Sequence, residues 1–182
     1  VGAQSSLGSL SKGIVAMNFI FILIILVMGL FSKMPAVKEG SVLPTFELYN
    51  QNGLLVSSKS LLGQPLVLYF YPKDDTPGCT KEACSFRDGY EAFQDLGARV
   101  VGISADDVDS HRAFAAKYRL PFDLLSDPGN QLRKQFGVPA DLFGLIPGRV
   151  TYVFDKQGIC VRVFNAQLQA EKHMTEALNA LK

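Results

Sequence analysis

Residues 66–71 read Leu-Val-Leu-Tyr-Phe-Tyr, an unbroken apolar run that suits a strand buried on both faces. A stretch rich in breakers follows, with Pro72, Asp74, Asp75, Pro77 and Gly78, and it predicts a turn at the surface. The period of the apolar positions then lengthens. Ala83, Phe86, Tyr90, Phe93 and Leu96 recur at helical steps, which predicts one amphipathic helix over 78–96 with Gly97 as its C-cap. Upstream, residues 42–49 alternate loosely, 50–53 are Asn-Gln-Asn-Gly and 54–56 are apolar again, which predicts a small hairpin. A short helical turn fits 57–63. Downstream the pattern predicts a strand over 99–104, a helix over 109–118, a strand over 122–125 and a helix ending at Phe136. An antiparallel pair over 149–155 and 159–165 and a closing helix over 169–181 complete the chain. Strand and helix alternate, with the antiparallel pair near the C-terminus. The fold class is therefore α/β with a mixed central sheet flanked by helices.

The N-terminal part has a different texture. Residues 1–13 are rich in Ser and Gly and predict a disordered tail. Residues 14–31 are almost wholly apolar, broken by Asn18 and flanked by Lys12 and Lys33. As a helix, a stretch of this length spans about 27 Å, against about 30 Å for the hydrocarbon core of a bilayer. A membrane anchor, a remnant of an organelle-targeting sequence and a cleaved secretory signal all remain open. The signal is the weakest of these, because Met34-Pro35-Ala36 is a poor cleavage site. A core helix fits least, since 14–31 has no polar face and 38–182 already makes a complete domain. The chain opens on Val1 rather than Met, as a processed or truncated product would. The division expected is a tail over 1–13, a transmembrane or targeting segment over 14–33 and one globular domain over 38–182.

Composition narrows the function. A formal net charge of +1 without a basic cluster argues against a nucleic-acid partner. Three cysteines in 182 residues are too few for a disulfide scaffold. Two of them, Cys79 and Cys84, sit five residues apart where the breaker-rich turn enters the helix. A helix N-terminus carries partial positive charge and free N–H groups, and both favour thiolate over thiol. On an ideal helix, residues five apart have Cα atoms about 8.6 Å apart and diverging side chains, beyond the roughly 7 Å limit for a disulfide. A bridge between them therefore requires the helix to unwind. Zinc is the alternative for a thiol pair, but Cys160, His111 and His173 are scattered without ligand spacing. His111 and His173 read as exposed helix residues, and Cys160 as a structural thiol in a strand. Arg149 stands at the start of its strand, after the turn Leu145-Ile-Pro-Gly148. Arg87 lies about 12 Å along the helix from Cys79, too far to serve it.

The stretch Tyr69 to Arg87 resembles the active-site signature of peroxiredoxins, Pro-x-x-x-Thr-x-x-Cys, met here by Pro72, Thr76 and Cys79. A second cysteine five residues on is similar to the Q-type, or bacterioferritin-comigratory, subgroup. The Asp141-Leu-Phe-Gly144 insert is similar to cyanobacterial and chloroplast members. The resemblance covers 38–182 and implies a thioredoxin-like fold and a peroxidase without metal, haem or flavin. In it, Cys79 attacks hydrogen peroxide or an organic hydroperoxide and becomes a sulfenic acid, and Cys84 resolves that acid as an intramolecular disulfide. A dithiol, thioredoxin foremost, reduces the disulfide. The Thr76 hydroxyl is expected on the thiolate or as an N-cap, Pro72 as a shield against water, and Arg149 as the guanidinium that holds the thiolate. With both cysteines in one chain a monomer suffices. The competing reading is a membrane-anchored thiol–disulfide exchange protein, which ordinarily spaces its cysteines as Cys-x-x-Cys.

Overall fold

The structure, a computed structural model, describes residues 36–141 and 146–182. The apolar segment 14–31 and most of the Asp141–Gly144 insert lie outside the described residues. Among the described residues no helix is long and apolar enough to cross a membrane.

The described residues form a seven-stranded sheet in the order β2-β1-β5-β4-β3-β8-β9. Its strands are β1 (Glu47–Asn50), β2 (Leu55–Ser57), β3 (Leu66–Phe70), β4 (Arg99–Ser104), β5 (Asp123–Ser126), β8 (Val150–Phe154) and β9 (Cys160–Asn165). β3, β4 and β5 run parallel, while β1, β8 and β9 pair antiparallel with their neighbours. This is the mixed sheet of a thioredoxin-like fold. The helices are α1 (Pro77–Asp88), α2 (Tyr90–Asp95), α3 (Val108–Tyr118), α4 (Gln131–Phe136) and α5 (Lys172–Leu181), with a 3-10 turn at Ser58–Leu61. Two short strands, β6 (Ala140–Asp141) and β7 (Ile146–Pro147), pair just ahead of β8. Nothing in the local pattern predicts that pair, since each strand has only two residues.

Every residue of β3 is buried, because both faces are covered. Alternate side chains enter opposite layers. Leu66, Leu68 and Phe70 pack with Ile103, Phe136 and Phe154 on one side. Val67, Tyr69 and Tyr71 pack on the other with Phe86 of α1, Phe93 of α2 and Phe114 of α3.

The single helix expected over 78–96 is two helices. Gly89, between them, has φ −92° and ψ 7° and turns the chain. The side-chain-free position also leaves room for α5, since a Cβ at Gly89 would lie 3.0 Å from Met174 Sδ. The closing helix also starts later than expected, at Lys172, because 166–171 is used as a loop. The predicted alternation at 42–49 yields only β1, with Val42 making an isolated bridge to Ile159.

Candidate active site

The register of the sheet assembles the site. β3 ends at Phe70, which pairs with Val150 at the start of β8. The loop after β3 and the residue before β8 therefore emerge side by side, although 70 positions separate Cys79 from Arg149. Arg133 of α4 braces the two exits, donating Nη2 to the Tyr71 carbonyl and Nη1 to the Gly148 carbonyl, both at 2.7 Å.

Cys79 opens the first turn of α1, with Thr76 at the N-cap position and Pro77 inside it. It faces Arg149, whose Nη2 donates to Sγ at 3.3 Å. The approach is close: a Cβ at Gly78 would meet the same Nη2 at 3.2 Å. Arg149 Nη1 donates to Glu82 Oε2, and its Nε to the Gln167 carbonyl at 3.2 Å. Arg149 is 3% exposed, Cys79 2% and Glu82 0%. The sequence places Cys79 in a polar surface neighbourhood; the structure buries it in the core layer that also holds Tyr69, Tyr71 and Ala83. Burial works to lower the Arg149 pKa, but Glu82 and Cys79 outweigh it, so the guanidinium stays charged. Burial pushes the Glu82 carboxyl up to about 8 against the pull of Arg149 and Arg133.

Glu82 and His173 were not legible as site residues. Glu82 falls three positions after Cys79 and so shares its helix face, the one signal that could have found it. His173 is fully buried rather than exposed, and its Nδ1 lies 3.5 Å from Glu82 Oε1 and 2.7 Å from Thr151 Oγ1. His111 is likewise buried rather than exposed. It touches Asp74 Oδ2 through Nδ1 at 2.8 Å and the Leu125 carbonyl through Nε2 at 3.2 Å. Asp74, read as part of a surface turn, is 6% exposed and also accepts from Tyr71 and Ser110 at 2.7 and 2.8 Å. This cluster ties the loop before Cys79 to α3. Both histidines mislead in sequence because polar residues on an amphipathic helix default to solvent.

Of the other expected residues, Thr76 donates its hydroxyl to the Lys73 carbonyl at 3.1 Å and makes no side-chain cap bond. It shapes the loop in this conformation rather than touching the sulfur. Pro72 is half-buried at the loop's first bend, beside the braced Tyr71 carbonyl. Cys84 is partly exposed and unbonded to another cysteine. Arg87 serves α3, donating to the Tyr118 carbonyl at 2.8 Å. Cys160 is buried and free, and burial pushes its thiol up to about 11. Among the described residues no group of His, Cys, Asp or Glu is placed to hold a metal ion.

Comparison with known proteins gives one answer from three directions. Residues 40–163 match the model of the AhpC/TSA family. The chain is 58% identical over 146 residues to a chloroplastic peroxiredoxin Q of Triticum aestivum, covering 80% of this chain and 67% of that protein. It is 58% identical over 154 residues to one of Sedum lineare, covering 85% of this chain and 81% of the relative. The crystal structure of the peroxidoxin BcpB from Mycobacterium tuberculosis is 38% identical, with a TM-score of 0.73, over 80% of this chain and 96% of that one. A cysteine variant of PrxQ from Xylella fastidiosa superposes with a TM-score of 0.74 at 31% identity, over 81% of this chain and 96% of that one. On these matches the chain belongs to the AhpC/TSA family, as a peroxiredoxin of the Q type and hence a peroxidase.

Proposed function

We propose that Cys79 is the residue oxidised by hydroperoxide and that Cys84 resolves it. The observation that carries this reading is Arg149 Nη2 at 3.3 Å from Cys79 Sγ, on the first turn of α1. A fixed guanidinium in a dry site holds a thiolate and stabilises the oxygen that departs from the peroxide. The Cys79 thiolate attacks one peroxide oxygen, the O–O bond breaks, and the other oxygen leaves as water or alcohol after taking up a proton. Cys79 is then a sulfenic acid. The Cys84 thiol condenses with it, water leaves, and a disulfide forms. An external dithiol reduces that disulfide by exchange and is itself oxidised; thioredoxin is the fitting donor. Thr76 and Pro72 shape the loop that admits the peroxide. A single chain supplies both cysteines, which supports a monomer. The chloroplastic names of the plant relatives support a plastid stroma as the location. A bacterioferritin comigratory protein of Xanthomonas campestris, 31% identical, is described with alkyl peroxide reduction activity, which supports organic hydroperoxides as substrates here.

The test is peptide mapping of the reduced protein after one equivalent of hydrogen peroxide. A Cys79–Cys84 disulfide is expected, lost in Cys79→Ser and replaced by Cys79 sulfenic acid in Cys84→Ser. Sulfenic acid that persists in the unsubstituted protein would remove Cys84 from the mechanism. Two unreacted cysteines would overturn the reading.

A further inference from the structure

Arg149 lies between two acids, Cys79 on Nη2 and Glu82 on Nη1. If both acids ionise, Arg149 bonds two buried anions and only Arg133, which reaches them by charge without a hydrogen bond, helps to offset them, an arrangement that burial disfavours. If only one ionises, the trio is neutral. The groups facing Glu82 decide which acid keeps the proton. Arg149 approaches from the residue before β8, Arg133 acts from α4, Tyr69 is buried on β3 and His173 comes from α5. Arg149 occupies Oε2, while Oε1 is buried without a hydrogen-bond partner.

The neighbour of that orphan oxygen is His173. Its Nε2 lies 2.9 Å from the Ala166 carbonyl, which can only accept, so Nε2 carries the ring proton. Burial and, after it, the charge on Arg149 drive the His173 pKa down to about 4, so the ring is neutral. Nδ1 is therefore bare. It accepts from Thr151 Oγ1 at 2.7 Å, and it faces Oε1 at 3.5 Å. A carboxylate oxygen there meets a lone pair; a carboxylic acid O–H there meets an acceptor.

We propose that Cys79 and Glu82 share one proton across Arg149, and that His173, through its bare Nδ1, draws that proton to Oε1 of Glu82 and leaves Cys79 as the thiolate. The transfer removes a proton from Sγ and places it on Oε1, with no change in net charge. Arg149 then has one anionic partner, the sulfur. His173 does not touch the reacting atoms and is a positioning residue. Thr151 competes with Glu82 for Nδ1. The inference rests on the reading of Cys79 as the reactive thiolate.

The experiment is the pH dependence of Cys79 alkylation by iodoacetamide, followed at that residue by peptide mass spectrometry. His173→Phe keeps a ring against Phe164, which His173 meets edge-on at 4.8 Å, and removes Nδ1. It should raise the Cys79 midpoint by about one pH unit or more. In a Glu82→Gln background, where no proton is shared, the same substitution should shift nothing. A His173→Phe midpoint equal to that of the unsubstituted protein, or an equal shift with Glu82→Gln, overturns the proposal. Should His173→Phe fail to fold, the near-isosteric Thr151→Val decides. It frees Nδ1 for Glu82 alone, so a lowered midpoint supports the proposal and an unchanged or raised one overturns it. An ordinary thiol midpoint in the unsubstituted protein would overturn the reading of Cys79 itself, and this inference with it.

Discussion

Glu82 and His173 titrate with opposite effects on stability. The His173 pKa falls from 6.5 to about 4 on folding, because burial penalises its charged form. Between those values the unfolded chain binds the extra proton, so stability rises with pH. Burial raises the Glu82 pKa from 4.5 to about 8. Between those values the folded chain binds the extra proton, so stability falls with pH. The two slopes oppose each other wherever the windows overlap, and above pH 6.5 Glu82 is the one of the two that still acts. In Cys79→Ser protein, where no thiolate formed on folding offsets the proton that Glu82 takes up, thermal melts should therefore show stability falling between about pH 6.5 and 8, and adding Glu82→Gln should abolish that fall. A melting temperature that rises over this range would contradict the burial of a protonated Glu82. None of this was legible in sequence. Cys79 and Arg149 could be named because a motif surrounds each of them. His173 and Thr151 have no local signature, and the approach of His173 to Glu82 depends on how α5 docks on the sheet.

At the scale of elements, the proposed Cys79–Cys84 disulfide sets its demand on α1. Cys79 and Cys84 sit on one intact helix, with Cα atoms about 8.6 Å apart by helical geometry and a bridging limit near 7 Å. The proposed disulfide therefore requires the beginning of this helix to unwind. Phe86 limits how far this goes. It is fully buried and stacks on Tyr69 at 4.7 Å, and pulling it into water costs about 1.5–3 kcal/mol. Ala83, one turn earlier, offers little resistance. Hydrogen exchange should show lost protection in 79–84 on oxidation and retained protection from Phe86 onward. Unchanged exchange over 79–84 in the disulfide form would refute unwinding. The sequence showed where this helix begins, since proline and glycine mark it. The break at Gly89 was hidden because the apolar period runs straight through it to Leu96. The backbone angles of Gly89 show the bend, and Met174 of α5 packs close to it.

Across the whole molecule, the sheet order explains why a linear reading recovers the architecture better than the site. Continuous apolar runs identify the buried strands β3, β4 and β8, and alternation with helices identifies the class. The order β4-β3-β8 is what brings the exit of β3 against the entry of β8. That adjacency involves a strand eighty positions on, and no local pattern encodes it. Arg133, the brace between the two exits, is invisible for the same reason: on a short helix it reads as a solvent-facing cation, yet it is 6% exposed.

Cys160 lies in the outermost strand, β9, where it is 2% exposed and burial holds its pKa near 11. Neither property survives once β9 peels from β8, so this thiol acts as a clock for opening of the sheet. In Cys79→Ser/Cys84→Ser protein, the rate at which a thiol-trapping dye labels Cys160 should equal the rate of that opening. It should become independent of dye concentration when the dye is abundant, and it should rise steeply with temperature. A rate that is proportional to dye and unchanged by mild denaturant, which favours opening, would show that the sulfur is reached without the strand leaving.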